Sequence, residues 1–507
     1  MEGSAARVKH SAARVKHSAA RVKHSAARVK GSAAPTYWPV HALSVAIFGV
    51  YASYALARQA TLLTAGYDLG IFDQAVRDYS RFRAPIVPVK GGDYNIFADH
   101  FHPIIATAAP LYWIWDSPCV LLILQAALVS GSIPVVHSFA ARRIGPRAAL
   151  AVAVAYALGW AFQAMIDFDF HEVAFAVPML AVAIDALDRE DDRTLLVASG
   201  LLLLVREDMG AVLVMIGLLR LLRRPRWQWP GLALMGSGVG VYLLVTSIVI
   251  PHFASGGFAY WTFDALGPDV PHVLLSVVGH PVHAVKLIFT PSVKAQTLAY
   301  LFLPLLFLPL RSRYLLIAVP LLAERFFNSR DYLWTTHYHY SALSWVVLTL
   351  AMVDGATRLG VWSAPRLRAA TLVYLLLVPV FLLVRPSVTP AVFQRMINGK
   401  AWRVTSHGRD AKAAIHQIPG NVCVSLDDRL VPQLTNRNRV SEPGLRSAKT
   451  DFVVLDMSQK DVGYLQPSPQ AVLDSVRGRG FTVVFSRGDF LVLKSPAYAG
   501  ASRQCRP

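Results

Sequence analysis

The chain has 507 residues, of which 54% are hydrophobic and 16% are charged, and its formal net charge is +19. Soluble domains carry about 25% charged residues, so this composition excludes an ordinary soluble protein and predicts a polytopic membrane protein. The hydrophobicity also argues against a partner nucleic acid. We interpret the positive charge as a record of topology and of contact with anionic membrane lipid.

The chain begins with a basic repeat. SAARVKH occurs three times in succession and is followed by SAARVKG. A seven-residue period is typical of a coiled coil, but valine is the only bulky apolar residue in each copy, so no hydrophobic seam can form. No apolar core follows the charges closely, which argues against a signal peptide. We predict that residues 1–37 are a disordered, basic cytoplasmic tail or an upstream extension of little consequence.

Residues 38–384 are predicted to form the transmembrane domain. Several candidate spans are shorter than the roughly 20 residues that a full crossing needs, which is tolerable where helices border a polar cavity. Residues 104–115 are too short to cross and predict an interfacial or re-entrant helix. The eleven candidate spans are 38–57, 118–140, 148–165, 173–187, 194–205, 209–222, 231–252, 295–310, 314–327, 341–356 and 369–384.

Arginines in the short loops predict the orientation of the chain in the plasma (inner) membrane. The clusters at 142–147, 220–226, 311–313 and 358–368 fall on one side if the N-terminus is cytoplasmic. An odd number of spans then places the C-terminal part outside. The first external loop, 58–117, departs from this rule, and its basic residues are either tolerated or present to meet a phosphate. They are Arg58, Arg77, Arg81, Arg83 and Lys90.

From about residue 385 the composition changes to short β-type runs. NVCVS, DFVVLDM, FTVVFS and FLVLKS are such runs, and a helix-like stretch near 469–478 precedes the third. We therefore predict a soluble, extracytoplasmic α/β domain over residues 385–507, without a nucleotide-binding glycine loop. Cys423 and Cys505 can pair only if this domain faces an oxidising compartment.

Ionisable residues gather in four connections on the predicted outer side. Such groups are costly at membrane depth, so they tend to line cavities or to pair. We therefore predict one polar site at the outer membrane boundary. Its candidate substrate-binding residues are Asp99, His100, His102, His171, Glu172, Arg206, Glu207, Asp208, Arg325, Arg330, His337, His339 and Tyr340.

Two aspartates just beyond the first span are candidates for catalysis, and each has a structural alternative. Asp68 can cap a helix that begins at Leu69. Asp73 can pair with Arg77 four residues later on a helix, and for Asp73 we favour that interpretation. A carboxylate at this level of the membrane would meet both a membrane-anchored substrate and a water-borne one.

The stretches DHFH and HYHY have the spacing of paired metal ligands. Zinc needs three or four ligands, so neither pair suffices by itself. We favour hydrogen bonding or contact with an anionic ligand for these histidines, assign no metal ligand, and leave a divalent metal open.

Seven stretches resemble the prokaryotic membrane proteins grouped as domain of unknown function 2079: YDLGIFDQAV, DHFHPIIATAAPLYWIW, LLILQAAL, FDFHEVAFAVP, VREDMG, HYHYSA and IPGNVCVSLDDRLVPQLTNR…TDFVVLD. That family is grouped with the GT-C glycosyltransferase superfamily, so the resemblance implies a polytopic enzyme that uses lipid-phosphate-linked sugars. In such enzymes an acidic residue of the first external loop acts as the catalytic base or positions the acceptor. Asp68 occupies the matching position, and Asp73 is the second candidate.

The resemblance and the residues together favour a glycosyltransferase. It would move a sugar from a polyprenyl-phosphate donor to an extracytoplasmic glycan or protein acceptor. Arginines 206, 325 and 330 would hold the phosphate, and the histidines would orient the sugar or bind the phosphate. A transporter or lipid-handling protein without transfer chemistry, and a non-catalytic membrane scaffold, are the alternatives.

Overall fold

The computed structural model describes residues 37–224, 227–254, 260–384, 392–445, 449–460 and 467–507. The predicted basic tail, 1–37, lies outside the described residues except for its last position. The predicted start of the C-terminal domain near residue 385 also lies outside them.

Eighteen helices of the described residues form the membrane part of the fold. In chain order, α1 to α18 are Trp38–Ala60, Ile71–Ser80, Ala109–Ile114, Cys119–Gly131, Ile133–Ile144, Pro146–Ala157, Trp160–Asp167, Ala176–Arg189, Asp192–Leu202, Met209–Arg223, Trp229–Leu244, Ile250–Phe253, Val270–Gly279, Pro281–Phe289, Ser292–Phe302, Leu315–Phe327, Ala342–Arg358 and Pro365–Val384.

The first helix is long enough to cross a bilayer. Its 23 residues rise about 35 Å at 1.5 Å per residue, which exceeds the roughly 30 Å hydrocarbon core of a bilayer. A proline in its first turn suits the helix start. The helix ends at Thr61, whose Oγ1 donates a hydrogen bond to Ala57 O at 2.8 Å.

Each of the eleven predicted spans coincides with a helix or with consecutive helices, which agrees with a polytopic helical membrane protein. Five helical stretches of the described residues are long and apolar enough to cross a bilayer, and the total number of spans stays a prediction. The five are Trp38–Ala60, Cys119–Ile144, Pro146–Asp167, Trp229–Phe253 and His339–Arg358.

Helices α13 and α14 are absent from the sequence-based prediction. They pass the same length and composition test only as a pair, and they are bent by 104° at the break between them. His280 and Pro281 stand at that break, and proline disfavours a helical residue before it. The proline therefore divides the apolar run into two pieces, each too short to be recognised as a span.

The C-terminal part contains a five-stranded mixed sheet with the order β2-β1-β3-β5-β4. Strand β1 pairs in parallel with β2 and β3, whereas β5 pairs antiparallel with β3 and β4. Four strands lie within the predicted β runs, and β2 was not predicted. The strands β1 to β5 are Cys423–Leu426, Arg439–Ser441, Phe452–Asp456, Thr482–Arg487 and Phe490–Lys494, and the helices α19 to α21 are Val392–Ile397, Ser406–His416 and Pro469–Gly478.

The C-terminal sheet docks directly on the end of α1 and on α2. Across this junction, the side-chain amide of Gln59 donates a hydrogen bond to Pro432 O at 3.2 Å, and that of Gln433 donates one to Gln59 O at 3.1 Å. Gln74 of α2 donates to Val440 O at 2.8 Å. Buried Val424 of β1 and Val431 of the short helix Asp428–Gln433 belong to the same hydrophobic core as the membrane helices. The docking therefore places the sheet against the loop that follows α1.

Candidate functional site

Asp68 lies in a tight turn, Gly66–Gly70, that links α1 to α2. Its backbone has φ 114° and ψ −81°, a left-handed region that only glycine adopts without strain. Such strain costs about 1–3 kcal/mol and persists where surrounding structure enforces it, often at functional sites. Helix α2 begins at Ile71, and no side chain caps it. Asp68 therefore does not cap a helix from Leu69.

Two contacts from the C-terminal sheet region hold this turn. Tyr67 N donates a hydrogen bond to Asp428 Oδ1 at 2.7 Å. A Cβ built on Gly66 or Gly70 would lie 2.7 Å from side-chain carbons of Val431. Glycine is required at both positions because Val431 approaches the backbone so closely. Sequence reasoning did not identify Asp428 or Val431, because both are more than 350 positions away.

A third contact holds the turn from the membrane side. Ala65 N donates to Asp169 Oδ2 at 2.7 Å, and Arg58 pairs with Asp167 at 3.0 Å and with Asp169 at 3.2 Å. Burial raises the pKa of Asp169 to about 6, against the opposing charge of Arg58. Arg58, which the sequence analysis assigned to the first external loop, thus lies in the last turn of α1 and is a structural ion-pair partner.

The Asp68 carboxylate faces a pair of buried histidines. Its Oδ1 lies 3.1 Å from Nε2 of His171, and the rings of His171 and His339 stack with centroids 3.7 Å apart. Burial lowers the pKa of His171, but the charge and hydrogen bond of Asp68 together with the charges of Glu172 and Asp169 outweigh burial, and the net shift is upward. Asp68 itself keeps 28% of its side chain exposed, so the carboxylate is both held by a partner and open to a substrate.

A second group of residues joins the first loop to the turn after α9. His100 Nδ1 lies 2.6 Å from Glu207 Oε1, and Phe101 N donates to Glu207 Oε2 at 3.0 Å. Burial lowers the pKa of His100, but the charge and hydrogen bond of Glu207 together with the charge of Asp99 outweigh burial and raise the pKa to about 9. The ring of His100 stacks on Tyr260 at 4.0 Å, a residue that sequence reasoning missed.

Arg206 is the cationic centre of a third group. It chelates Asp208 through Nε and Nη2, and its guanidinium lies 3.4 Å from Glu172 and 3.8 Å from Glu324. The charges of these carboxylates outweigh burial and hold the pKa of Arg206 well above its usual range. Glu324 was not predicted, although a glutamate within the apolar run LLAERFF is the kind of signal that marks such a site.

These groups surround one cavity of about 120 Å³. Its lining combines cationic, acidic and aromatic side chains from five separate parts of the chain. Arg330 lies over the Tyr260 ring at 4.6 Å. The lining includes His100, Arg206, Tyr260, Glu324, Arg330, His339 and Tyr340. Asp68 is not in the lining itself and reaches the cavity through His171 and His339. Asp99 lies behind the lining, hydrogen-bonded to Lys90 and Tyr260. Burial raises its pKa, but the charges of Lys90 and His100 and these two hydrogen bonds together outweigh burial and lower the pKa to about 2.

Asp73 is not brought into this cluster. It is fully buried, accepts two hydrogen bonds from Arg77 at 2.8 and 2.9 Å, and accepts a third from Tyr112 at 2.7 Å. This is the structural pairing that the i, i+4 spacing predicts. A carboxylate so enclosed cannot meet a substrate hydroxyl without rearrangement of its partners.

Three predicted binding residues also lie apart from the cavity or are engaged elsewhere. His102 is buried, its ring packs edge-on against Phe72 at 5.5 Å, and burial lowers its pKa. His337 is exposed and lines a different surface hollow. Arg325 borders the cavity, but its guanidinium donates to Leu333 O, Thr335 O and Ser341 Oγ. Arg325 therefore holds the loop that carries His339.

Among the described residues, one group of three potential ligand side chains is close enough together to hold a metal ion. It consists of Cys423, Asp451 and Cys505. Cys423 and Cys505 form a disulfide, so their sulfurs are not thiolates. The polar cluster supplies carboxylate oxygens from Glu172, Asp208 and Glu324 around Arg206, which are donors of the class that Mg²⁺ prefers. A divalent metal thus stays a prediction.

Solved structures of similar shape include ArnT from Cupriavidus metallidurans bound to undecaprenyl phosphate. That structure is 14% identical in sequence, has a TM-score of 0.51, and covers 92% of this chain and 100% of its own. ArnT from the same organism in the apo state is also 14% identical, with a TM-score of 0.46 and coverage of 89% and 97%. The first likeness shows that this chain has a GT-C fold, as ArnT has.

The sequence comparisons give the family. No curated protein matches the chain. The family model described as predicted membrane protein DUF2079 matches residues 58–492, which is most of the chain and includes Asp68, both histidines of the stacked pair and Arg206. The protein is a membrane-embedded member of the DUF2079 family.

Proposed function

We propose that this protein is a membrane glycosyltransferase that moves a sugar from a polyprenyl-phosphate donor to an extracytoplasmic acceptor. The observation that carries the proposal is the position of Asp68. Its carboxylate stands at the end of the first long apolar helix, in a strained turn, beside His171 and a cationic cavity. The GT-C fold supports it, because the similar ArnT structure holds undecaprenyl phosphate.

Asp68 is the proposed base. It takes the proton of an acceptor hydroxyl as that oxygen bonds to the anomeric carbon of the donor sugar. The bond from the anomeric carbon to the phosphate oxygen breaks, and its electron pair leaves with the phosphate. A single displacement inverts the anomeric centre. A positioned base contributes a rate factor of roughly 10²–10⁴, and the ion pair with His171 keeps the carboxylate oriented.

Arg206 and Arg330 are the proposed phosphate ligands. Both border the cavity, and guanidinium groups bind phosphate oxygens through paired hydrogen bonds. The departing phosphate needs no proton, because it leaves as an anion that these cations stabilise. The step therefore does not require a divalent metal, and we expect sugar transfer to continue in the presence of EDTA. If EDTA abolishes transfer and added Mg²⁺ or Mn²⁺ restores it, a metal would be assigned to the carboxylates around Arg206.

We further propose that the C-terminal sheet domain and the polar site face the extracytoplasmic side, with the N-terminus in the cytoplasm. The arginine clusters of the short loops support this orientation. So does the Cys423–Cys505 disulfide, because disulfides persist in oxidising compartments. Accessibility of the C-terminal domain to protease in intact spheroplasts tests it, and protection of the domain would reverse the orientation.

Replacement of Asp68 with Asn tests the base. The change removes the proton acceptor and retains the size of the side chain, so we expect transfer of radiolabelled sugar in membranes to fall by about 10²-fold or more. Asp474→Asn, an exposed aspartate of α21, is the matched control and retains transfer. Undiminished transfer by a well-expressed Asp68→Asn protein would remove Asp68 from this role.

A second measurement addresses the donor independently of turnover. Mass spectrometry of the purified wild-type protein is expected to find a co-purified polyprenyl-phosphate lipid. Bound lipid without any sugar transfer by the wild-type protein would favour the lipid-handling alternative. Absence of the lipid together with absence of transfer would favour the scaffold.

A further inference from the structure

A second polar cavity lies where the first external loop meets the C-terminal sheet, and the proposed transfer reaction does not use it. Its volume is about 250 Å³. One wall is formed by α2 and the loop that follows it, including Arg77 and Arg83. The other wall is formed by Asn438, Arg439 and Arg506. A ligand bound here would contact both parts of the protein at once.

The charge of most arginines at the cavity is already balanced. Arg77 is paired with Asp73 at 2.8 Å and with Asp116, neither of which lines the cavity. Arg83 pairs with Asp78 at 2.7 Å and Arg439 pairs with Asp93 at 3.4 Å. Arg83 also donates a hydrogen bond to Pro507 O at 3.0 Å. The charged side chains of the lining are Arg77, Arg83, Arg439 and Arg506 against Asp78 and Asp93. Burial, and then repulsion from Arg77 and Arg83, lower the pKa of nearby Arg81.

Several donors at the cavity have no acceptor within the described chain. Arg77 is 2% exposed and its Nε makes no hydrogen bond. Asn438 is 1% exposed; its Oδ1 accepts from Val422 N at 3.1 Å, and its Nδ2 has no partner. No carboxylate of the described residues lies within ion-pair distance of the Arg506 guanidinium. Buried donors without partners are rare and destabilising in native proteins, and they call for an acceptor from outside.

The size of the cavity limits the ligand. Pockets for whole small molecules measure about 300–1,000 Å³, so this one suits a single charged group. The unpartnered donors of Arg77 and Asn438, together with the Arg506 guanidinium, match a planar or tetrahedral oxyanion. We propose that the cavity is an oxyanion-binding site for a phosphate or carboxylate group.

The position of the cavity connects it to Asp68. Helix α2 begins three residues after Asp68 and carries Arg77 in its second turn, about 9 Å along the axis from Ile71. An acceptor anchored here by an anionic group would have its remaining atoms close to the Asp68 turn. This assignment of the oxyanion to the acceptor rests on the proposed function, whereas the oxyanion site itself does not.

The test uses the full-length protein in nanodiscs and inorganic phosphate as the probe, measured by isothermal titration. The double variant Arg439→Gln/Arg506→Gln removes two donors at the mouth of the cavity and leaves the buried Asp73–Arg77 pair intact. We expect it to weaken phosphate binding about tenfold or more. Arg503→Gln changes an exposed arginine three residues from Arg506 that does not line the cavity, and it retains wild-type binding.

The kinetics of sugar transfer then distinguish the source of the oxyanion. A raised KM for an anionic acceptor with unchanged kcat in the double variant would assign the site to the acceptor. Weakened phosphate binding with unchanged KM would keep the site and assign it to a free anion. Phosphate binding that is undetectable in the wild type, or equal in the wild type and the double variant, overturns the proposal, and neither result depends on transfer activity.

Discussion

The contact between Gly66 and Val431 predicts that a single methyl group added to the turn will displace Asp68. In Gly66→Ala the new Cβ would lie 2.7, 2.9 and 3.0 Å from three side-chain carbons of Val431. Carbon atoms in contact are normally about 3.5–4.0 Å apart. The turn and Val431 must therefore separate by roughly 0.8 Å. The φ of Gly66 is not in the positive range, so the backbone of alanine itself is not strained.

Both stability and activity should change. Overpacking of this kind costs about 1–3 kcal/mol of folding free energy. A displacement near 1 Å of a reacting group can lower a rate about 10²-fold, and Asp68 is only two residues away. We expect a lower apparent Tm in detergent, measured by intrinsic fluorescence, and a fall in the sugar-transfer rate of roughly 10–100-fold.

A double-mutant cycle makes the reasoning refutable. Val431→Gly removes all three side-chain carbons that the new methyl group would meet. The double variant Gly66→Ala/Val431→Gly should therefore recover most of the activity that Gly66→Ala loses. Gly420→Ala is the control, since no heavy atom lies within 4 Å of its added Cβ, and its effect should be within about 0.5 kcal/mol. Wild-type activity in Gly66→Ala, or no recovery in the double variant, would refute the argument.

Two further perturbations test the disulfide and the charge environment of the site. Cys505→Ser opens a bond between residues 82 positions apart and should lower the free energy of unfolding by about 2–4 kcal/mol; thermal unfolding with and without dithiothreitol measures this, and equal values for wild-type and variant proteins without reductant would contradict it. Glu207→Gln removes the charge that raises the pKa of His100 to about 9. A charged His100 stabilises the wild type fully below about pH 6.5, and this contribution, up to about 3 kcal/mol, is lost as the pH rises through 9. We therefore expect the apparent Tm of the wild type, but not that of Glu207→Gln, to fall as the pH is raised from about 6.5 to about 9. An equal dependence of apparent Tm on pH in the two proteins would refute the proposed pairing of His100 with Glu207.

Much of the architecture was predictable from local pattern. Apolar runs such as 38–57 and 209–222 predicted helices. A segment of that hydrophobicity lies in lipid, where its backbone polar groups must hydrogen-bond to one another, and a helix satisfies all of them. The alternating β-rich runs predicted four of the five strands. Strand β2, only three residues long, carried too little pattern, and α13 with α14 escaped because a proline interrupts their apolar run.

The candidate site was predictable as a set of residue types and not as a set of partners. An i, i+4 spacing was enough to anticipate the pair Asp73–Arg77, because a helix places those positions side by side. The base role of Asp68 was implied by the family resemblance, and a helix cap from Leu69 was the structural alternative. The turn Gly66–Gly70, which contains Asp68, is held by contacts that no local pattern encodes.

Composition and hydrophobic pattern by themselves determined that this chain is a polytopic helical membrane protein with a small mixed domain at its C-terminal end, because these properties follow from how each segment meets lipid or water. Only the tertiary structure decided that Asp68 faces His171 while Asp73 is enclosed, that Arg325 holds a loop while Arg206 borders a cavity, and that Val431 requires Gly66. Asp68 and His171 are about one hundred positions apart and Gly66 and Val431 are more than three hundred apart, and even the shorter contacts of Asp73 and Arg325 join different helices and loops, so packing of the chain sets these distances.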